Sequence, residues 1–253
     1  MSLRSLFDLP VSMGWRHLLF ANWPVDPEVV DAHVPDPLTV DTYDGQAWLS
    51  VVPFTNIEVR PKGLPAWTGL PLPELNLRTY VTYEGERNWP DATGPQDDGP
   101  AADLGVYFFS LDADGILGVT GARVCHHLPY YFATIDMRTD GRGVDFTSER
   151  WHPGVRPNNF DARYEPVGER FQSEPGSVEE FLTGRHRYYT ETPGGELRYA
   201  QIRHEPWPLY DATAEFAENE VFETNGFATP DSDPVFRYSP GVDVTASGSR
   251  AVE

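Results

Sequence analysis

Short runs of β-branched and aromatic residues recur along the chain, and two-residue turn signals cut them apart: Asp44-Gly45, Asp114-Gly115, Asp140-Gly141 and Gly194-Gly195. Such pairs tolerate the positive φ values of tight hairpin turns, so each predicts two strands on either side. The first joins strands near 38–43 and 46–59. Residues 106–151 read as a run of strands, 162–172 as another and 187–209 as a hairpin. Helix signals are few. Asp26-Pro27 opens a short helix as N-cap and first helical residue. Ser177 and Glu180 have capping-box spacing, and Asn225-Gly226 stops a third short helix. Roughly ten or more strands result, and a sheet of that size curls and closes on itself. The expected fold class is mostly β: a closed, antiparallel-rich β-barrel with a few short peripheral helices. No repeat or linker divides residues 1–253, so a single domain is expected. Residues 84–105 are acidic and rich in Gly and Pro, an exposed insertion loop; the tail after about 243 is polar and reads as frayed.

Charge narrows the partners. Thirty-nine acidic residues against 19 basic ones leave a net charge of −20, spread along the chain. Nucleic acid and anionic membranes repel such a surface. A chain this acidic suits a salt-loving source, where the Debye length falls to roughly 3 Å and self-repulsion is screened. No stretch is long and apolar enough to span a membrane. The N-terminal residues lack the pattern of a secretory signal, so a cytoplasmic location is expected. The lone Cys125, among apolar neighbours, is expected to be a buried thiol.

A closed sheet has an interior, and residues 73–81 raise the question of what faces it. Leu75, Leu77, Thr79 and Val81 alternate with Glu74, Asn76, Arg78 and Tyr80. If the second row points inward, a Glu and an Arg are desolvated together and must pair or hold something. If it points outward, it is ordinary wet surface. Arg123 stands in an otherwise apolar stretch read as a strand; it either holds a carboxylate or forms a structural ion pair. His204, beside Glu205 and near Trp207, is either an acid–base group or a packing residue. Trp15, His17 and Trp23 read most simply as packing residues.

Other chemistries find little footing. Adjacent His126 and His127, in a strand, would point to opposite faces. The seven histidines show no HxH, HxxxH or HExxH spacing, so no metal is expected. Motifs for phosphate loops, dinucleotides and nucleophile elbows are missing, and no cofactor is expected.

Eight stretches together resemble one family: WRHLLFANWPV, DTYDGQAWLSVVPF, RPKGLP, PELNLRTYV, GVYFFSLDA, ARVCHHLPYY, PGSVEEFLTGR and HEPWPL. They resemble the uncharacterised DUF2071, or YqjF-like, family over nearly the whole chain. The resemblance implies the fold of acetoacetate decarboxylase, a closed β-barrel with a buried polar site, and makes residues 84–105 an insertion. It also implies that Glu74 stands at a site glutamate. GARVCHHLPYY is similar to the decarboxylase segment with an arginine and, after a proline, a pair of lysines. Arg123 and Pro129 fit that pattern, while Tyr130 and Tyr131 stand where the lysines would be. Decarboxylation there uses a lysine Schiff base. Here Lys62 is the single lysine and precedes the site strand, so that chemistry is not expected.

Two readings follow. In one, the chain is an enzyme acting on a small carbonyl or carboxylate compound. Glu74 is the catalytic acid or base, Arg78 and Arg123 hold the carboxylate beside Asn76, and Tyr107 or Tyr130 donates to a developing oxyanion. In the other, the same pocket binds or senses a metabolite without turning it over. The partner is a small molecule, and a homodimer is the base-rate expectation for any self-association.

Overall fold

The computed structural model describes residues 10–83 and 103–252, without the side chain of Cys125. The thiol's burial and most of the acidic segment 84–105 therefore lie outside the described residues. In chain order the elements are β1 (Val11–Val25), α1 (Pro27–Asp31), β2 (Leu38–Val40), β3 (Ala47–Pro61), β4 (Leu70–Tyr83), β5 (Leu104–Ala113), α2 (Ile116–His126), β6 (Tyr130–Thr139), β7 (Val144–Arg150), β8 (Asn159–Phe171), α3 (Val178–Thr183), β9 (Arg187–Glu191), β10 (Leu197–His204), β11 (Leu209–Asn219), α4 (Val221–Thr224), β12 (Val235–Ala246) and β13 (Arg250–Ala251).

The strands form one sheet that closes on itself twice. One ring runs β4-β5-β6-β7-β8-β11-β12-β1-β3 and back to β4. A smaller ring runs β4-β5-β9-β10-β12-β1-β3. The fork lies in two strands that change partner along their length. The first half of β5 pairs with β9 at Val106 and Tyr107, and its end with β6 at Leu111–Ala113. On its side away from β1, β12 pairs with β11 near Tyr238 and with β10 near Val244. Pairing is antiparallel except where β5 meets β6 and β9.

Over much of their length the strands shared by both rings are buried on both faces, and their alternation feeds two cores. Leu19, Ala21, Leu49, Val51, Leu75 and Leu77 pack with Phe146, Phe160 and Tyr164 in the larger ring. Leu18, Phe20, Val52, Phe54 and Tyr80 pack with Tyr188, Ile202 and Val244 in the smaller one. Bulges reset the alternation, and two of them lie in β1 and β3. Between Arg16 and Ala21, β1 carries one residue more than β3, with His17 at φ 57°. The β3–β4 register slips between Asn56 and Val59, with Glu58 at φ 56°. Gly69 accepts the second bulge, since a Cβ there would lie 2.3 Å from the Glu58 carbonyl carbon.

Several expectations are revised. Residues 116–126, including Arg123, form a helix rather than a strand. A Cβ on its Gly118 would lie 2.7 Å from Leu72 Cδ1, so that glycine lets the helix lie close to β4. A short apolar run does not distinguish helix from strand by periodicity. The helical crossover is also what allows β5 and β6 to run parallel. His126 and His127 thus end a helix, with His127 left-handed at φ 55°. The Asp44-Gly45 turn forms, but its flanks meet only in the Tyr43–Gln46 bridge, and β2 pairs with β4 instead. Residues 104 and 105 belong to β5. The tail is ordered: β12 continues to Ala246, and β13 pairs with β10. The Asp26 cap and the Ser177 Oγ cap on Glu180 N form as expected.

Candidate active site

The polar row of β4 faces the smaller ring. Its residues sit opposite Leu75 and Leu77, whose side chains fill the other core. Glu74 is 3% exposed. Its Oε2 accepts from the Tyr130 hydroxyl at 2.6 Å and from Asn56 Nδ2 at 3.2 Å; its Oε1 accepts from Asn76 Nδ2 at 3.2 Å. Two carboxylate oxygens offer about four acceptor positions, so these three donors leave room for one more. Burial pushes the Glu74 carboxyl up to about 7, against the three hydrogen bonds and the nearby Arg78 charge, all of which pull it down. Burial and the adjoining Glu74 raise the Tyr130 phenol well above its ordinary range, so it stays a donor.

Glu74 opens onto a cavity of about 330 Å³ inside the smaller ring. Arg78 lies on the same wall, with its guanidinium 5.6 Å from the Phe20 ring and 6.0 Å from the Tyr80 ring. Its Nε is buried without a hydrogen-bond partner, as are Oδ1 of Asn56 and of Asn76. Other arginines on the wall are engaged. Arg185 holds Asp41 at 2.7 Å, Arg60 donates to the Leu64 carbonyl, and Arg187 lies over Tyr199. His204 also lines the cavity, stacked on His186 at 4.5 Å and against Trp207 at 4.7 Å. Burial lowers its pKa to about 4, so at neutral pH it is an uncharged imidazole. His126, at the end of α2, meets the Tyr188 hydroxyl at 2.6 Å, and burial lowers its pKa as well.

Of the residues singled out from sequence, Glu74, Arg78 and Tyr130 come together at this cavity, and Asn76 lies behind them on Glu74. Arg123 does not join them. It is exposed on α2, where its guanidinium donates to the Tyr130 backbone carbonyl and lies 5.8 Å from the Tyr131 ring. Tyr107 points to the other side of β5, packed near Leu38, Val81 and Tyr189. Asn56 escaped the sequence reading; an Asn inside a β-rich strand is the kind of residue strands avoid, and that was its signal. Lys62 is exposed beyond the end of β3. No group of three or more His, Cys, Asp or Glu side chains able to hold a metal occurs among the described residues.

The fold has counterparts among solved structures, and they define its class. The enduracididine biosynthesis enzyme MppR, in complex with pyruvate, superposes with a TM-score of 0.65 over 96% of this chain and 90% of its own, at 12% identity. An acetoacetate decarboxylase-like enzyme from Sphingomonas wittichii RW1 gives 0.61 over 97% and 93%, at 15% identity. Acetoacetate decarboxylase from Legionella pneumophila gives 0.59 over 96% and 87%, at 12% identity. The fold is therefore acetoacetate decarboxylase-like. Residues 12–243 match the DUF2071 family, described as an uncharacterized conserved protein, and the chain belongs to it. The uncharacterized protein YqjF of Bacillus subtilis (strain 168) is 41% identical over 231 residues, covering 91% of this chain and 87% of that one.

Proposed function

We propose that the protein binds a small oxo acid in this cavity and moves a proton on it, with no covalent lysine. One observation carries the reading: a fully buried glutamate whose carboxyl is pushed up to about 7 shares a cavity with Arg78, whose charge acts on that carboxyl and whose Nε has no hydrogen-bond partner among the described residues. Arg78 takes the substrate carboxylate, in a two-pronged pairing if the guanidinium faces it squarely. Glu74 in its ionised form removes a proton from the carbon next to the carbonyl. The C–H electron pair becomes the C=C bond of the enolate, and the negative charge moves to the carbonyl oxygen. Once protonated, Glu74 is a weaker acceptor, so the Tyr130 hydroxyl is freed to donate to that oxygen. Reversal returns a proton to carbon. A pKa near 7 suits a group that must both take and give a proton. The pyruvate complex of MppR supports the choice of ligand class, since a protein of the same fold holds such an acid.

The setting belongs to the same proposal: the net charge of −20 suits a concentrated-salt cytoplasm and a small-molecule partner rather than nucleic acid or membrane. Among the described residues no helix is long and apolar enough to cross a membrane.

Proton movement is read directly by ¹H NMR in D₂O as loss of the C3 protons of pyruvate and 2-oxobutyrate. Exchange is expected with the wild-type protein and is abolished in Glu74→Gln. Binding by calorimetry persists in Glu74→Gln and weakens at least tenfold in Arg78→Gln. Binding without exchange in the wild type would leave a non-catalytic metabolite-binding module. No binding at all would end the proposal.

A further inference from the structure

The cavity is larger than a three-carbon acid needs. About 330 Å³ lies in the size range of sites for whole small-molecule ligands rather than three-carbon fragments. The wall is also lopsided in its chemistry. Glu74, Arg78, Asn56 and Tyr130 supply a compact polar patch from β3, β4 and β6. Most of the remaining surface is apolar and aromatic: Met13 and Trp15 from β1, Phe54 from β3, Val106 and Phe108 from β5, Ile202 from β10. Trp15 forms a flat platform, stacked on Trp207 at 5.8 Å and 8°, with the edge of Phe54 5.9 Å away. The further arginines of the wall, Arg60, Arg185 and Arg187, already hold other groups, so a doubly charged metabolite would leave its second charge without a free partner, and burying an unpaired charge is costly.

We infer that the natural ligand is amphipathic: an oxo acid whose carboxylate and carbonyl meet Arg78 and Glu74, and whose tail of about five to seven carbons, aliphatic or aromatic, lies along Trp15, Phe54 and Phe108. The inference rests on the oxo-acid reading above and adds the size and polarity of the rest of the molecule. Each buried methylene strengthens binding roughly threefold to fourfold when the wall can accept it.

The test is titration calorimetry on the wild-type chain with pyruvate, 2-oxohexanoate, 2-oxooctanoate and 2-oxoglutarate. Affinity is expected to rise along the first three, with 2-oxooctanoate more than tenfold tighter than pyruvate and 2-oxoglutarate no tighter than pyruvate. In both Trp15→Ala and Phe54→Ala the ratio of 2-oxooctanoate to pyruvate affinity is expected to fall at least threefold. If pyruvate binds and 2-oxooctanoate is within tenfold of it, or if 2-oxoglutarate is the tightest of the four, the amphipathic ligand is wrong while the oxo-acid site stands. If none of the four binds, both readings fall together.

Discussion

Glu74 is a contest between burial and hydrogen bonding. Three donors stabilise its ionised form, each worth about 1 kcal/mol in net terms, yet loss of water outweighs them and holds the carboxyl near 7. That has a sign for stability. The folded chain holds this proton more tightly than the unfolded chain does, so the stabilisation is fully present below the unfolded value of 4.5 and is lost as pH rises through about 7. The gap corresponds to about 3 kcal/mol. Glu74→Gln is neutral at every pH and lacks that loss, so its stability relative to wild type is expected to improve by up to about 3 kcal/mol between pH 5 and pH 8. Urea unfolding at the two pH values measures it, and parallel curves would show that Glu74 titrates normally. Tyr130→Phe removes a hydrogen bond that favours the carboxylate, so the midpoint of the exchange rate against pH is expected to move above 7, read from the same NMR assay.

The elements around the site are tied together by buried polar groups away from it. Asp112, in β5, accepts from Arg150 Nε at 2.6 Å and from Asn158 Nδ2 at 2.7 Å, and all three are buried. These bonds join β5 to the end of β7 and the start of β8, across β6, while the Arg150 guanidinium lies 4.4 Å from the Tyr131 ring. Removing one partner leaves the other buried and uncompensated. Asp112→Ala is therefore expected to cost about 3–5 kcal/mol, and Asp112→Ala with Arg150→Met to recover more than half of it. Denaturant midpoints of the single and double variants decide. Equal losses in both would mean that the pair contributes packing rather than charge compensation.

The whole molecule carries a net charge of −20. At about 0.1 M salt the Debye length is about 10 Å, comparable to the spacing of surface charges; near 1 M it is about 3 Å. Self-repulsion then fades, so the midpoint of thermal unfolding is expected to rise steadily as KCl goes from 0.1 to 2 M, followed by circular dichroism. A flat or falling midpoint would separate the acidic composition from salt tolerance. Two rings sharing five strands also give the site its place. From Leu72 to Tyr83 both faces of β4 are covered, so its polar row is interior, and it lies in the ring that retains a cavity.

Much of this was legible in the residues because local rules carried it. Alternation marked Glu74, Asn76 and Arg78 as one face; Asp140-Gly141 and Gly194-Gly195 marked hairpin turns, although Asp114-Gly115 leads from β5 into α2 instead; Asp26 and Ser177 marked helix starts. These depend on one or two neighbours, and neighbours are what a sequence displays. Arg123 was misplaced because periodicity alone does not separate helix from strand in a mostly apolar stretch, and the close approach of Gly118 to Leu72 is visible only in the fold. Trp15 and Phe20 differ by an odd number of positions and still face one cavity, because the bulge at His17 turns the alternation over between them. Asn56 found Glu74, and Tyr130 found it from 56 residues away, through pairings between strands. Side-chain period along a strand is a property of the backbone itself, so the polar row could be read in one dimension. Which ring that row faces, and which cation stays unpaired beside it, depend on strands that meet only when the sheet closes, and closure is a property of the assembled fold.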